Sequence, residues 1–198
     1  MTAGRPATPV RPSPLAYLFW HRPLSDDPDA YESALATFHR SLAADPPVGL
    51  LGSWTISLVG PPWFEEGAPC YLDWYVVEDF RALGLLQTAA VDDGRVAVHD
   101  AVASLSGSGA GGLVALVSGD VAVPAVPTLS FVDKPRGTPY DRFRARLDGA
   151  LAGRGAWWVR QLAMGPGPEI VVVTSGPPAA TLGPARSIEH CRVIDGGS

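Results

Sequence analysis

The chain has 198 residues, 46% of them apolar and only 18% charged, so it can bury a sizeable core and is not disordered as a whole. A net charge of −5 and the lack of any basic run argue against nucleic acid or an anionic membrane as partner. No run approaches the roughly 20 apolar residues of a membrane-spanning helix. The two cysteines, Cys70 and Cys191, are too few for a disulfide framework and are expected to be buried small hydrophobes.

The opening "MTAGRPATPVRPSP" holds four prolines and no apolar segment, so it is not expected to be a signal peptide. Residues 1–12 are expected to be a disordered or extended lead-in, and the protein to be soluble and cytoplasmic. Lys134 is the only lysine. With the abundance of Ala, Gly and Pro, that points to a GC-rich, bacterial genome rather than to any chemistry.

The first strand carries "LFWHRP", Leu18 to Pro23. A helix follows, with Asp27 as cap, Pro28 at its first position and Tyr31, Leu35, Phe38 and Leu42 in one apolar stripe. His39 is expected on its polar side. A glycine-bounded strand comes next, "GSWTISLVG" (Gly52 to Gly60), and then another strand, "CYLDWYVV" (Cys70 to Val77), after the turn "PPWFEEGAP". Helical stretches "EDFRALGLLQTAA" and "VAVHDAVASL" follow, with His99 expected near the start of the second. Then "SGSGAGG" is expected as a flexible loop leading into the strand "LVALV", Leu113 to Val117. It lacks the Lys-Ser/Thr of a phosphate-binding loop.

The order then restarts. "SFVDKP" (Ser130 to Pro135) echoes "LFWHRP". A helix capped by Thr138 carries Tyr140, Phe143, Leu147 and Leu151 on one face, with Asp141 in its first turn. The strands "GAWWVRQLAMG" and "EIVVVTS" follow. "GPPAATLGPAR" is too rich in Pro and Gly for a helix, and a last strand is expected in "SIEHCRVI".

Strand-helix-strand-strand-helix-strand is the ferredoxin-like order. The expected organisation is therefore an α+β chain with two ferredoxin-like repeats: residues 13–123, and an abridged second copy over 124–198 that has lost its second helix. Such a unit leaves one sheet face bare, and apolar surface left in water costs about 25 cal/mol per Å². Stacking two sheets removes that cost. In this the chain resembles the dimeric α+β barrel superfamily, with its EthD-like and antibiotic-biosynthesis-monooxygenase-like members, as a tandem fusion. The resemblance rests on element order and the internal repeat over roughly residues 13–195. It implies a cavity for hydrophobic or aromatic substrates. Several members of that group act without metal or flavin, and some bind haem through a histidine.

Alternation along the strands sorts the candidate site. Tyr17, Phe19 and His21 share one side of the first strand; Ser53, Thr55 and Ser57 share one side of the second; Tyr71, Asp73 and Tyr75 share one side of the third. The opposite sides are apolar, and these apolar sides are assigned to the helices. The first and third strands are neighbours in this order, which brings His21 near Asp73. A carboxylate beside an imidazole fixes its tautomer and raises its basicity, the minimum for proton abstraction. His21 and Asp73 are thus the candidate catalytic residues, against a structural reading as a strand-end histidine and a loop-holding or ion-paired aspartate. Tyr17, Thr55, Tyr71, Tyr75 and Trp63 are the candidate substrate-binding residues. Trp63 with Phe64 forms either a lid or an oligomer contact, and the five other tryptophans are expected mostly in the core. His190 and Cys191 are adjacent and would face opposite ways on a strand. The histidines lack metal-ligand spacing, so no structural zinc is expected. No cofactor is expected, with haem left as an open branch that a Soret band would reveal. The expected partner is a hydrophobic small molecule, and the abridged second half leaves room for a homodimer. The expected activity is a cofactor-independent oxygenase or isomerase; the alternative is a non-catalytic ligand-binding or assembly module.

Overall fold

The computed structural model describes residues 13–24, 27–64, 66–164, 167–177, 182, 185–188 and 191–197. The lead-in 1–12 and His190 lie outside them. The N-terminal part comprises β1 (Leu15–Pro23), α1 (Pro28–Ala44), β2 (Leu50–Val59), β3 (Pro69–Val77), α2 (Phe80–Ala90), α3 (Val96–Leu105) and β4 (Ser106–Ser118). The remainder comprises β5 (Thr128–Val132), α4 (Tyr140–Leu151), β6 (Ala156–Met164), β7 (Ile170–Thr174), β8 (Ala185–Ile188) and β9 (Arg192–Gly197).

All strands join one antiparallel sheet in the order β8-β5-β7-β6-β4-β1-β3-β2-β9. Within it, β4-β1-β3-β2 and β8-β5-β7-β6 repeat the same ferredoxin-like arrangement, joined where β4 pairs with β6. The fold class is therefore α+β with two ferredoxin-like units, as the element order implies. The two units are continuous through the ladder rather than separate sheets.

The sheet curls so that the apolar sides of both units meet. Leu18, Trp20, Ile56, Leu72 and Trp74 share one buried cluster with Leu129, Phe131, Trp158 and Val171. Trp74 meets Trp158 edge to face at 5.6 Å, and Trp20 meets Phe131 at 6.5 Å. Such pairs contribute roughly 0.5–1.5 kcal/mol beyond the area they bury. Here the assignment of faces from sequence is corrected. The helices cover the polar side, and the apolar side faces the twin unit. The most apolar surface gains most from the driest contact, and another sheet supplies that better than an amphipathic helix with one wet side.

The helices are positioned by local chemistry. Asp27 and Asp79 cap α1 and α2 by accepting from the backbone N–H groups of Ala30 and Ala82. The α4 helix begins at Tyr140, and Thr138 makes no capping bond, a one-residue correction to the expected start. The Arg95 guanidinium donates to Asp45, Asp92 and the Ala89 carbonyl, tying the α2–α3 junction to the end of α1.

Two segments depart from expectation. "SGSGAGG" is the first half of β4, not a loop. Its glycines are needed where the strand runs under aromatic rings: a Cβ at Gly109 would collide with the Phe19 ring, and one at Gly111 would sit 3.0 Å from the Tyr17 hydroxyl. The C-terminal run "SIEHCRVI" is split. Ala185–Ile188 pairs with β5, whereas Arg192–Gly197 crosses to β2 and covers that edge. Arg192 is ion-paired to Glu32, and Arg40 to Asp195, which fastens β9 to α1. Among the described residues no helix lies between β7 and β8, and no helix is long and apolar enough to cross a membrane.

Removing residues 192–198 should bare the outer edge of β2. The expected result is a lower Tm together with concentration-dependent association in light scattering. A truncated chain that stays monodisperse with unchanged Tm would show that β9 carries none of this.

Candidate functional site between the sheet and its helices

The site is built on three cross-strand rows of one face. Asp73 stands opposite Phe19 on β1 and Thr55 on β2, Tyr71 stands opposite His21, and Tyr75 stands opposite Tyr17. His21 and Asp73 are thus diagonal neighbours, and the Asp73 carboxylate is buried. Its Oδ1 accepts from His39 Nε2 at 3.1 Å and lies 3.3 Å from His21 Nε2. The second contact is a charge contact, because His21 Nε2 is not aligned for a hydrogen bond. Oδ2 accepts from the Tyr75 hydroxyl at 2.9 Å. On its other side, His21 Nδ1 meets the Tyr31 hydroxyl at 2.6 Å, and Tyr31 meets Ser106 Oγ at 2.8 Å.

Burial pushes the Asp73 carboxyl up, but the electrostatics of the facing His21 and His39 imidazoles overcome it and hold the group well below the usual carboxylate range. Burial first, then the charge and hydrogen bond of Asp73, pushes Tyr75 well above the ordinary phenol value. Burial followed by the neighbouring Glu32 raises Tyr71, whose hydroxyl donates to Glu32 at 3.1 Å. Burial, with the Asp73 charge behind it, also raises Tyr17. The site therefore holds one fixed anion among neutral phenols.

The rings form a continuous rank that starts on α1 and continues along the sheet. His39, Tyr75, Tyr17, Phe19, His21 and Tyr71 follow one another with centroids 5.2–6.3 Å apart and planes within 22° of parallel. Gly109 and Gly111 leave space for this rank to lie over β4. Above it is a cavity of about 850 Å³ between the sheet and α1, α2 and α3. Tyr17, Asp73, Tyr75 and Ser106 reach its wall, and apolar side chains such as Leu86 and Val102 make up most of the remainder.

Sequence reasoning placed His21, Asp73, Tyr17, Tyr71 and Tyr75 on one face, and the structure brings them together. Thr55 is also in this neighbourhood, buried opposite Asp73, but it does not line the cavity, and its hydroxyl has no partner among the described residues. Trp63 is corrected: it packs edge-on against Trp20 and Phe131 inside the curled sheet, on the opposite face, and is neither lid nor cavity wall. His39 is corrected too, being buried and bonded to Asp73 rather than on a wet helix side. Its position four residues after Leu35 and three before Leu42 puts it on the flank of the apolar stripe, a signal present in the sequence. His99 lies in the second turn of α3, lines the cavity and bonds Asp100. Among the described residues no group of three or more His, Cys, Asp or Glu is arranged to hold a metal ion.

Solved structures share this fold. A "putative monooxygenase" from Fusobacterium nucleatum aligns with TM-score 0.65 at 8% identity, over 94% of this chain and 95% of that one. A "putative monooxygenase" from Lactobacillus acidophilus aligns with TM-score 0.56 at 10% identity, over 91% and 92%. A "putative chlorite dismutase" aligns with TM-score 0.52 at 10% identity, over 92% and 95%. At such identities the likeness is one of fold, and it runs through both units. No family model matches the chain, and no curated protein matches it in sequence.

Because Asp73 is more acidic folded than its ordinary value of 3.8, its contribution to stability is complete above that value. The contribution is lost as pH falls below it, where the unfolded chain takes up a proton that the native chain does not. Urea midpoints should therefore drop steeply below pH 4 in the wild type and less steeply in Asp73→Asn; parallel pH profiles would refute the assignment. Gly109→Ala should cost about 1–3 kcal/mol by forcing the Phe19 ring aside, read from the same urea curves.

Proposed function

We propose that the chain is an enzyme of oxygenase or isomerase type that removes a proton from a hydrophobic small molecule held in the cavity over β1, β3 and β4. The observation that carries this reading is a buried, ionised carboxylate shared by two imidazoles at the wall of an otherwise apolar cavity. Apolar walls take the body of the ligand, and the few polar groups at one end orient it. A carboxylate held this far into its ionised form is a poor proton acceptor. Asp73 therefore anchors the imidazoles, and His21 is the base. Loss of a proton from an acidic carbon or a phenol leaves an electron-rich anion. That anion either reacts with molecular oxygen, as an oxygenase requires, or regains a proton at another carbon, as an isomerase requires. The shared fold with two "putative" monooxygenases and with an anthrone oxidase-like protein (TM-score 0.50, 12% identity) favours the oxygen branch.

We read the chain as a fused pair, 13–123 and 124–198, in which, among the described residues, only the first unit has more than one helix over its sheet, and these wall the cavity. The repeated strand order supports that division.

The test is oxygen uptake and product absorbance with anthrone and a series of acidic phenols. The wild type should accelerate turnover over buffer, and His21→Gln should lower kcat about 10²–10⁴-fold with KM little changed. Isosteric variants are required, since Asp73→Ala would strand buried imidazoles and cost about 3–5 kcal/mol whatever the function. Ligand binding without turnover across the series would mark a binding module instead.

A further inference from the structure

His21 does not reach the cavity wall, whereas Ser106, which opens β4, does. We propose that Ser106 and Tyr31 form a proton relay joining the cavity to His21 Nδ1. This deepens the reading of His21 as base by supplying a route from the cavity to its Nδ1, the nitrogen that faces away from Asp73.

The partners define two complete hydrogen-bond arrangements. Ser106 Oγ is within reach of both the Tyr31 hydroxyl, at 2.8 Å, and the Val102 carbonyl, at 2.9 Å, but it has one proton to donate. In the first arrangement Ser106 donates to Tyr31, Tyr31 donates to His21 Nδ1, and neutral His21 keeps its proton on Nε2 toward Asp73. In the second, His21 Nδ1 donates to Tyr31, Tyr31 donates to Ser106, and Ser106 donates to the Val102 carbonyl. His21 is then an imidazolium facing the Asp73 carboxylate at 3.3 Å. The two arrangements differ by one proton.

Conversion of the first into the second is the transfer step. The ligand X–H bond breaks and its proton binds Ser106 Oγ. The Ser106 proton passes to the Tyr31 oxygen, and the Tyr31 proton passes to His21 Nδ1. The products are X⁻ and an imidazolium paired with Asp73, so charge and protons balance. The freed Ser106 bond is taken up by the Val102 carbonyl. Tyr31 must remain a neutral phenol to both accept and donate. Burial chiefly, opposed by the Ser106 bond and aided by the Asp73 charge, pushes it up to about 12.

The groups facing His21 are Asp73 and Tyr71 from β3, Tyr31 from α1, and Phe19 on its own strand. His39 and Tyr75 act on it through Asp73, and Glu32 through Tyr71. None of these offers another path to the cavity through His21 Nδ1.

The experiment follows the ring-carbon line shapes of ¹³C-labelled histidine in the unliganded protein from pH 4 to 9, comparing wild type, Ser106→Thr and Ser106→Val. Thr and Val fill nearly the same space, and only Thr has the hydroxyl. The relay predicts that exchange between the two protonation states of His21 slows at least tenfold in Ser106→Val and is retained in Ser106→Thr, with His39 and His99 unchanged in both. Tyr31→Phe should match Ser106→Val. Equal rates in Val and Thr variants, or a His21 that never changes protonation in this range, overturn the relay. No ligand is used, so the relay can fail while the cavity still takes a substrate, and turnover can fail while the relay stands.

Discussion

The edge-to-face contact of Trp74 with Trp158 joins the two four-stranded units across the inside of the curled sheet. Everything else is arranged around that dry interface. With the apolar side of the sheet committed to it, the polar side has to meet the helices, and the polar residues of β1 and β3 end up buried beneath α1, α2 and α3. Burying polar groups is costly unless they are partnered. The network of His21, His39, Tyr31, Tyr75 and Ser106 around Asp73 is the form that partnering takes here.

A single carboxylate organises that network. Asp73 receives contacts from two imidazoles and a phenol, on α1, β1 and β3. The arrangement couples helix placement to site chemistry: α1 carries both Tyr31 and His39, so any shift of α1 relative to the sheet alters both sides of His21's surroundings. Arg95 and the ion pairs of β9 with α1 restrain that shift. The cavity persists above the rank of rings because Gly109 and Gly111 let the rank recline on β4 instead of filling the space.

The second unit shows what the same order does without such a network. Its position matching His21 is Asp133, whose carboxylate accepts from the Glu169 backbone N–H. Its α4 covers an apolar cluster of Phe143, Leu147, Trp157 and Val172. That unit supplies its half of the inner face and the pairing of β9 with β2, and the first unit keeps the cavity with the Asp73 network at its wall.

The amino-acid sequence alone determined the element order as far as β7, the recurrence of that order and the sharing of one strand face by Tyr17, His21, Tyr71, Asp73 and Tyr75. These follow from periods of 2 and 3.6 and from cap and turn residues, all of them local. Which way the sorted faces point was not local. Either face of a strand reads the same until a partner surface is chosen, and only the tertiary structure chose the twin unit for the apolar one. The same choice explains the misreadings: Trp63 has an open-looking loop but an interior partner, "SGSGAGG" is strand because rings lie over it, and His39 sits on a stripe flank that is wet or dry according to what it faces. Long-range packing alone decided that an imidazole on α1 and another on β1 would share one carboxylate on β3, since no spacing along the chain encodes a distance across it.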